Sequence, residues 1–213
     1  MYFYTLMEEN NMKRSKNAYI FQKITLTIIF LFGITFAQSN FLSILDKYLN
    51  SPVEIEFEQR TFWHVRERES RNRGNIILGT NDRFNITSGR MQFVSDGTTY
   101  WEFNNRQRQV IVRRITPNLP LTIPTQILRL LRNARLTQGS APQSILWQDD
   151  ETRRNGFERV EVFYDDNLIT RIILTDSDQN VSTYTFNRTT FLTTINDNVF
   201  VFEIPRGAQV HED

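Results

Sequence analysis

The chain has 213 residues, with 25 Lys and Arg against 24 Asp and Glu, a formal charge of +1. That balance supplies no field for holding a polyphosphate, so no nucleic-acid partner is expected. Seventeen Phe, seven Tyr and three Trp accompany eight Gly, six Pro and no Cys, which excludes collagen-like, disulfide-stapled and wholly disordered chains. Without Cys there is also no thiol nucleophile, thiolate zinc site, iron–sulfur cluster or cysteine-linked lipid.

Lys13, Arg14, Lys16 and Lys23 precede an apolar run from Ile24 to Phe36, which ends at Thr35-Phe36-Ala37. A basic segment, a short apolar run and a small-x-small ending read as an export signal, 1–37, cleaved after Ala37. The run is shorter than the roughly 20 residues a spanning helix needs. Glu8 and Glu9 are foreign to such signals, and Met12 directly precedes Lys13, so a start at Met12 fits the pattern better.

Phe41, Leu42, Leu45, Tyr48 and Leu49 then recur at helical spacing, with Ser39 or Asn40 as N-cap and Pro52 beyond the end. From Val53 the period becomes two: Val53, Ile55 and Phe57 alternate with Glu54, Glu56 and Glu58. A mixed loop is expected from His64 to Arg73. Strands follow at 75–78, 84–87, 91–94, 99–103 and 109–115, separated by Asn81-Asp82, Asp96-Gly97 and Asn104-Asn105 turns. Pro117, Pro120 and Pro124 interrupt the series. Behind them Ile127, Leu130, Leu131 and Ala134 share one helical face, with Arg129, Arg132 and Arg135 mostly off it. Residues 117–138 are thus an inserted helical segment, either a flap or a seal on one end of the core. Strands resume at 145–148, 159–164, 168–175, 181–186 and 199–204. About 10 or 11 antiparallel strands in one domain, 38–213, imply a heavily curved sheet.

Catalytic patterns are missing. His64 and His211 are too few for a His-based triad or a multi-histidine metal site, and no cofactor is expected. Asp176-Ser177-Asp178 opens like a calcium loop but lacks its later Gly and Glu, and reads as a hairpin turn. Arg66, Arg68, Arg71 and Arg73 alternate with Glu67 and Glu69, the mark of a solvated hairpin tip. The pairs Asp149-Asp150 and Asp165-Asp166 recommend a hydrolase only weakly, since turns account for them.

Ordered landmarks along 38–213 resemble the LolA family of periplasmic lipoprotein carriers. Phe57-Glu58-Gln59 looks like its early Phe-x-Gln strand, and the stretch from Phe93 through Asp96-Gly97 to Trp101 and Phe103 looks like its Val-Ser-Asp-Gly-x-x-Leu-Trp hairpin. The run from Phe202 through Pro205 and Gly207 to Val210 resembles its closing Phe-x-x-Pro-x-Gly-x-x-Val. One departure stands out: where relatives carry Arg-Pro before a Phe-Asn-Trp segment, this chain reads Thr80-Asn81-Asp82-Arg83-Phe84-Asn85-Ile86.

The resemblance implies a mainly β fold, an incomplete antiparallel β-barrel with short helices forming a lid over an apolar cavity, acting without enzymatic activity as a monomer in the periplasm. Its cargo would be lipoproteins held by their acyl chains. They would be received from an inner-membrane lipoprotein-releasing ABC transporter and passed to an outer-membrane lipoprotein acceptor. The cavity wall is then expected from Phe57, Phe84, Ile86, Phe93, Trp101, Phe103, Val160, Val162, Phe200 and Phe202. Ile127, Leu130 and Leu131 would form the lid, with Arg83 as candidate latch. Strand parity leaves open which wall residues face the cavity, because a one-residue slip inverts every side chain. A second reading is an open-barrel module that binds another lipid or senses envelope lipoproteins.

Overall fold

Pro52 ends the helical period, and in the computed structural model, which describes residues 40–115 and 124–212, the chain turns there from helix into sheet. The export signal, the Met12 start, Ser39 and the prolines at 117 and 120 lie outside the described residues. Helix α1 occupies 40–50. Strands β1 (Val53–Trp63), β2 (Arg68–Leu78), β3 (Arg83–Ser88), β4 (Met91–Asp96), β5 (Thr99–Asn104) and β6 (Gln109–Arg114) follow as a meander. Then come α2 (Pro124–Leu131), β7 (Leu136–Gln138), β8 (Ser144–Trp147), α3 (Asp150–Arg154), β9 (Phe157–Asp165), β10 (Leu168–Asp176), β11 (Val181–Phe191), a 3₁₀ turn (Asp197–Phe200) and β12 (Gln209–Glu212). Phe41–Asp213 form one compact unit.

All twelve strands belong to one curved sheet in the order β12-β6-β5-β4-β3-β2-β1-β11-β10-β9-β8-β7, open between β12 and β7. Every pairing is antiparallel except β12 with β6. Register shifts at Glu56/Phe57 against β11, and at Ile169/Arg171 and Thr175/Asp176 between β10 and β9, insert extra residues. Such bulges bend a strand and raise its twist, which lets a wide sheet wrap around a core.

Directly paired residues share a face, so register sorts the side chains. Val53, Ile55 and Phe57 lie opposite Leu78, Ile76 and Gly74 on β2, and Ile76 and Leu78 lie opposite Ile86 and Phe84 on β3. On the other side, Tyr184 and Phe186 of β11 continue through Ile172 and Leu174 of β10 to Val162 and Val160 of β9, then to Ile145 and Trp147 of β8. These residues, with Phe41, Ile44, Leu45 and Tyr48 of α1 and Ile127, Leu128 and Leu131 of α2, make one buried core. Both helices therefore cover the same face, here called the inner face.

The structure corrects four expectations. Residues 68–73 are strand, part of an eleven-residue β2; both faces there are charged, so no apolar alternation marks them. Residues 199–204 form no strand: a 3₁₀ turn ends at Phe200 and the strand begins only at Gln209. Leu136–Gln138 are an edge strand, too short for a period to show, so the last three residues of the expected helical insert belong to the sheet. Asp149 is not a bare turn residue but the N-cap of α3, with Oδ1 accepting the N–H groups of Glu151 and Thr152 at 2.9 Å.

Candidate functional site

The inner face is a wall of aliphatic and aromatic side chains closed by two helices. Helix α1 is tied to it at both ends. Phe41 meets the Tyr164 ring at 5.4 Å between centroids, Tyr48 meets Phe191 edge-on at 5.1 Å, and the Tyr48 hydroxyl accepts the Ile169 N–H at 3.1 Å. Burial pushes the Tyr48 hydroxyl above its ordinary pKa, although hydrogen bonds from Thr189 and Ile169 pull it back in part.

Helix α2 is shorter and presents Ile127, Leu128 and Leu131, all fully buried, with Leu130 packed at the margin. Sequence spacing identified Ile127, Leu130 and Leu131 but missed Leu128, which widens the apolar stripe by one position. The outward side of α2 is held by ion pairs. Arg129 pairs with Asp82 in the β2–β3 turn, and Arg132 reaches Asp46 of α1 at 3.4 Å. Tyr48, Leu78, Gly79, Phe84, Arg129 and Arg132 line a cleft at this junction, where α1, α2 and the β2–β3 turn converge.

The turn that carries Asp82 is itself built by the Ser95-Asp96-Gly97 motif. Asn81 and Asp82 both have positive φ, at 58° and 63°, a conformation that Asn and Asp tolerate better than most residues. The Ser95 hydroxyl donates to the Asp82 carbonyl at 2.7 Å and accepts the Gly97 N–H at 3.0 Å. Gly97 has φ of 97°, and a Cβ there would lie 2.5 Å from the Asn81 carbonyl oxygen. Asp96 Oδ1 accepts the Thr98 and Thr99 N–H groups at 2.7 and 2.8 Å, closing the adjacent hairpin. The motif thus shapes the turn whose carboxylate meets α2.

Arg83, the candidate latch, is engaged elsewhere. Its guanidinium pairs with Asp197 at 2.5 Å, donates to the Thr80 carbonyl at 3.2 Å and lies 5.1 Å from the Phe200 ring centre. It fastens the segment after β11 to β3. The acids that meet α2 are its neighbour Asp82 and Asp46.

Strand register separates the ten expected wall residues. Phe57, Phe84, Ile86, Phe93, Val160 and Val162 lie on the inner face. Trp101 and Phe103 lie on the outer face, because they pair with Val94 and Gln92, which alternate with Phe93. Phe202, from the segment that crosses this side, stacks on Trp101 at 6.2 Å and meets Phe103 in a tilted contact at 5.9 Å. Phe200 is buried on the same side, where a Cβ on Gly79 would meet its ring. Together with Val94 and Val110 these four build a second, smaller apolar layer. Tyr100, Ile145, Trp147, Ile172, Leu174, Tyr184 and Phe186 also line the inner face and were missed; cross-strand pairing alone could have found them.

One carboxylate is buried away from this face. Burial pushes Glu161 up, but hydrogen bonds from Ser140 and Ser144 and the Arg159 guanidinium outweigh it and hold its pKa below the ordinary value. It pins the β7–β8 connection and has structural work enough.

The model of the outer membrane lipoprotein carrier protein LolA family matches residues 51–203. No curated protein sequence matches the chain. Among solved structures, an uncharacterized conserved protein from Thermus thermophilus superposes with a TM-score of 0.51 at 12% identity, over 81% of this chain and 96% of that one. A LolA superfamily protein from Nitrosomonas europaea gives 0.46 at 15% identity, over 78% and 97%. A putative outer membrane lipoprotein-sorting protein domain from Vibrio parahaemolyticus gives 0.41 at 10%, over 77% and 97%. The first of these likenesses supports the fold.

Proposed function

The chain belongs to the LolA family, and from that premise we propose that it is a periplasmic carrier that takes lipoproteins by their acyl chains and shuttles them from the inner to the outer membrane. The observation that carries this reading is the construction of the lid. Ile127, Leu128 and Leu131 are fully buried against the inner face, while Arg129 on the helix and Arg132 just past its end make exposed ion pairs. Water-exposed ion pairs contribute little, about 0 to 1 kcal/mol each. Lifting α2 would therefore uncover apolar wall at the cost, among its described residues, mainly of exposing Ile127, Leu128, Leu130 and Leu131.

Acyl chains repay that cost. Burial gains about 0.8 kcal/mol per CH₂, so a molecule with two or three chains leaves a bilayer only for an apolar site of similar quality. Phe57, Phe84, Ile86, Phe93, Val160 and Val162 would contact the chains, and Ile127, Leu130 and Leu131 would exchange with them. A lid that competes for the same wall also limits affinity, which permits release. An ABC transporter would load the carrier, and an outer-membrane acceptor would unload it. Export through the signal 1–37 would bring it to the periplasm, and no enzymatic step is required.

Native mass spectrometry of the exported protein, co-expressed with a lipoprotein, tests the reading. A one-to-one adduct with the triacylated protein is expected. An adduct with free phospholipid and none with lipoprotein would overturn it in favour of a carrier for another lipid. Replacing Leu130 and Leu131 with Asp should abolish transfer while the far-ultraviolet spectrum keeps its β signature.

A further inference from the structure

The β1–β2 hairpin reaches past its neighbour. Strand β2 pairs with β3 from Gly74 to Leu78, and the Arg73 carbonyl still accepts the Gly89 N–H at 3.2 Å, so residues 68–72 project beyond β3 with one free edge. Charges on that edge have an ordinary explanation, since alternating Arg and Glu discourage edge-to-edge pairing. Arg71 pairs with Glu69 at 2.6 Å in keeping with it.

The tip itself does not fit that explanation. Among the described residues six large apolar side chains are exposed, and three of them, Phe62, Trp63 and Val65, fall within four positions here. Val65 is 83% exposed within the turn at 64–67. Trp63 and Phe62 point to opposite faces of the hairpin, so the tip is apolar on both sides. Arg66 and Arg68 follow these residues with Glu67 between them, and neither arginine has an ion pair among the described residues. The His64 N–H donates to Asn180 Oδ1 at 2.9 Å, which braces the turn against the β10–β11 connection. The Trp63 indole keeps its polar edge toward Ser70, with Nε1 to Oγ at 3.4 Å.

We propose that this tip is a membrane-contact element that enters the headgroup region of a phospholipid bilayer, with Phe62, Trp63 and Val65 in the acyl boundary and Arg66 and Arg68 on lipid phosphates. Tryptophan settles at that boundary because its ring is apolar and its N–H is not, and arginine extends an apolar stem with a charged end. A rigid hairpin loses little conformational freedom on entry. Such contact is independent of cargo: it concerns the bilayer surface, not the inner face.

The test uses the exported protein and vesicles of equal parts phosphatidylethanolamine and phosphatidylglycerol, free of lipoprotein. The protein should sediment with the vesicles, and lipids brominated on their acyl chains should quench fluorescence that is absent in W63F. Replacing Phe62, Trp63 and Val65 together with Ser should weaken sedimentation on the order of tenfold or more, with an unchanged far-ultraviolet spectrum. Replacing Arg66 and Arg68 with Gln should weaken it less and remove its salt dependence. Failure to sediment, equal sedimentation of the triple variant, or equal quenching in W63F would overturn the proposal. The L130D/L131D protein should still bind vesicles, so loss of cargo transfer and loss of membrane contact are read separately.

Discussion

Helices α1 and α2 cover the same face of one sheet, yet they are attached by different means. Helix α1 buries Phe41, Ile44, Leu45 and Tyr48, sets two of their rings against Tyr164 and Phe191, and satisfies the backbone N–H of Ile169. Among its described side chains, helix α2 buries Ile127, Leu128 and Leu131, and Arg129–Asp82, with Arg132–Asp46 just past its end, adds ion pairs at the surface. Removing α1 would orphan a buried backbone donor, which is costly; removing α2 mainly exposes apolar wall, which a lipid can cover again. Burial alone thus does not distinguish the two attachments; the polar bonds among the described residues do.

The largest effect should come from truncating matched leucines. Leu45→Ala should cost about 2–5 kcal/mol of unfolding free energy in denaturant titration, the usual range for a buried leucine. Leu131→Ala should cost less, because a helix that opens locally limits its loss to its own opening free energy. Equal losses would make α2 as integral as α1.

Alkaline pH probes the wall beneath the helices. Burial pushes the Tyr184 hydroxyl up to about 12 from 10.0. The unfolded chain ionises first, so this contribution is fully present below pH about 10 and is lost as pH rises through about 12, a loss on the order of 3 kcal/mol. Tyr184→Phe should flatten that part of the stability profile; an unchanged slope would mean that Tyr184 is open to solvent.

Tyr48→Phe tests the polar tie of α1. Stranding the Ile169 N–H should cost about 1–3 kcal/mol and raise hydrogen exchange at Ile169 in particular. The smallest effect belongs to the lid pairs: Asp82→Asn should change global stability by less than about 1 kcal/mol. It should nevertheless speed modification of a cysteine introduced at Leu131, in a chain that has no other, and added salt should do the same to the parent. Insensitivity of that rate to both would remove the ion pairs from lid closure.

Local chemistry wrote much of this into the sequence. The period change at Pro52, the turns at Asn81-Asp82 and Asp96-Gly97, and the amphipathic stripe behind Pro124 each follow from backbone geometry acting over a few residues. The family landmarks are legible for the same reason: Gly97 answers to a turn with no room for a Cβ, and Ser95 supplies the hydroxyl that ties it. Other features carry no local signal. Residues 68–73 are strand only because β1 pairs with them, and Leu136–Gln138 only because β8 does. Which aromatics face inward was a matter of register: Phe93 and Trp101 are both large and apolar, and hydrogen bonding between strands alone puts them on opposite sides. Likewise Asp82 rather than Arg83 meets α2, because a tight turn separates two adjacent side chains. Sequence determined the elements and their turns through short-range sterics and solvation; tertiary pairing decided the faces, since a period of two has no preferred side until a neighbour supplies one.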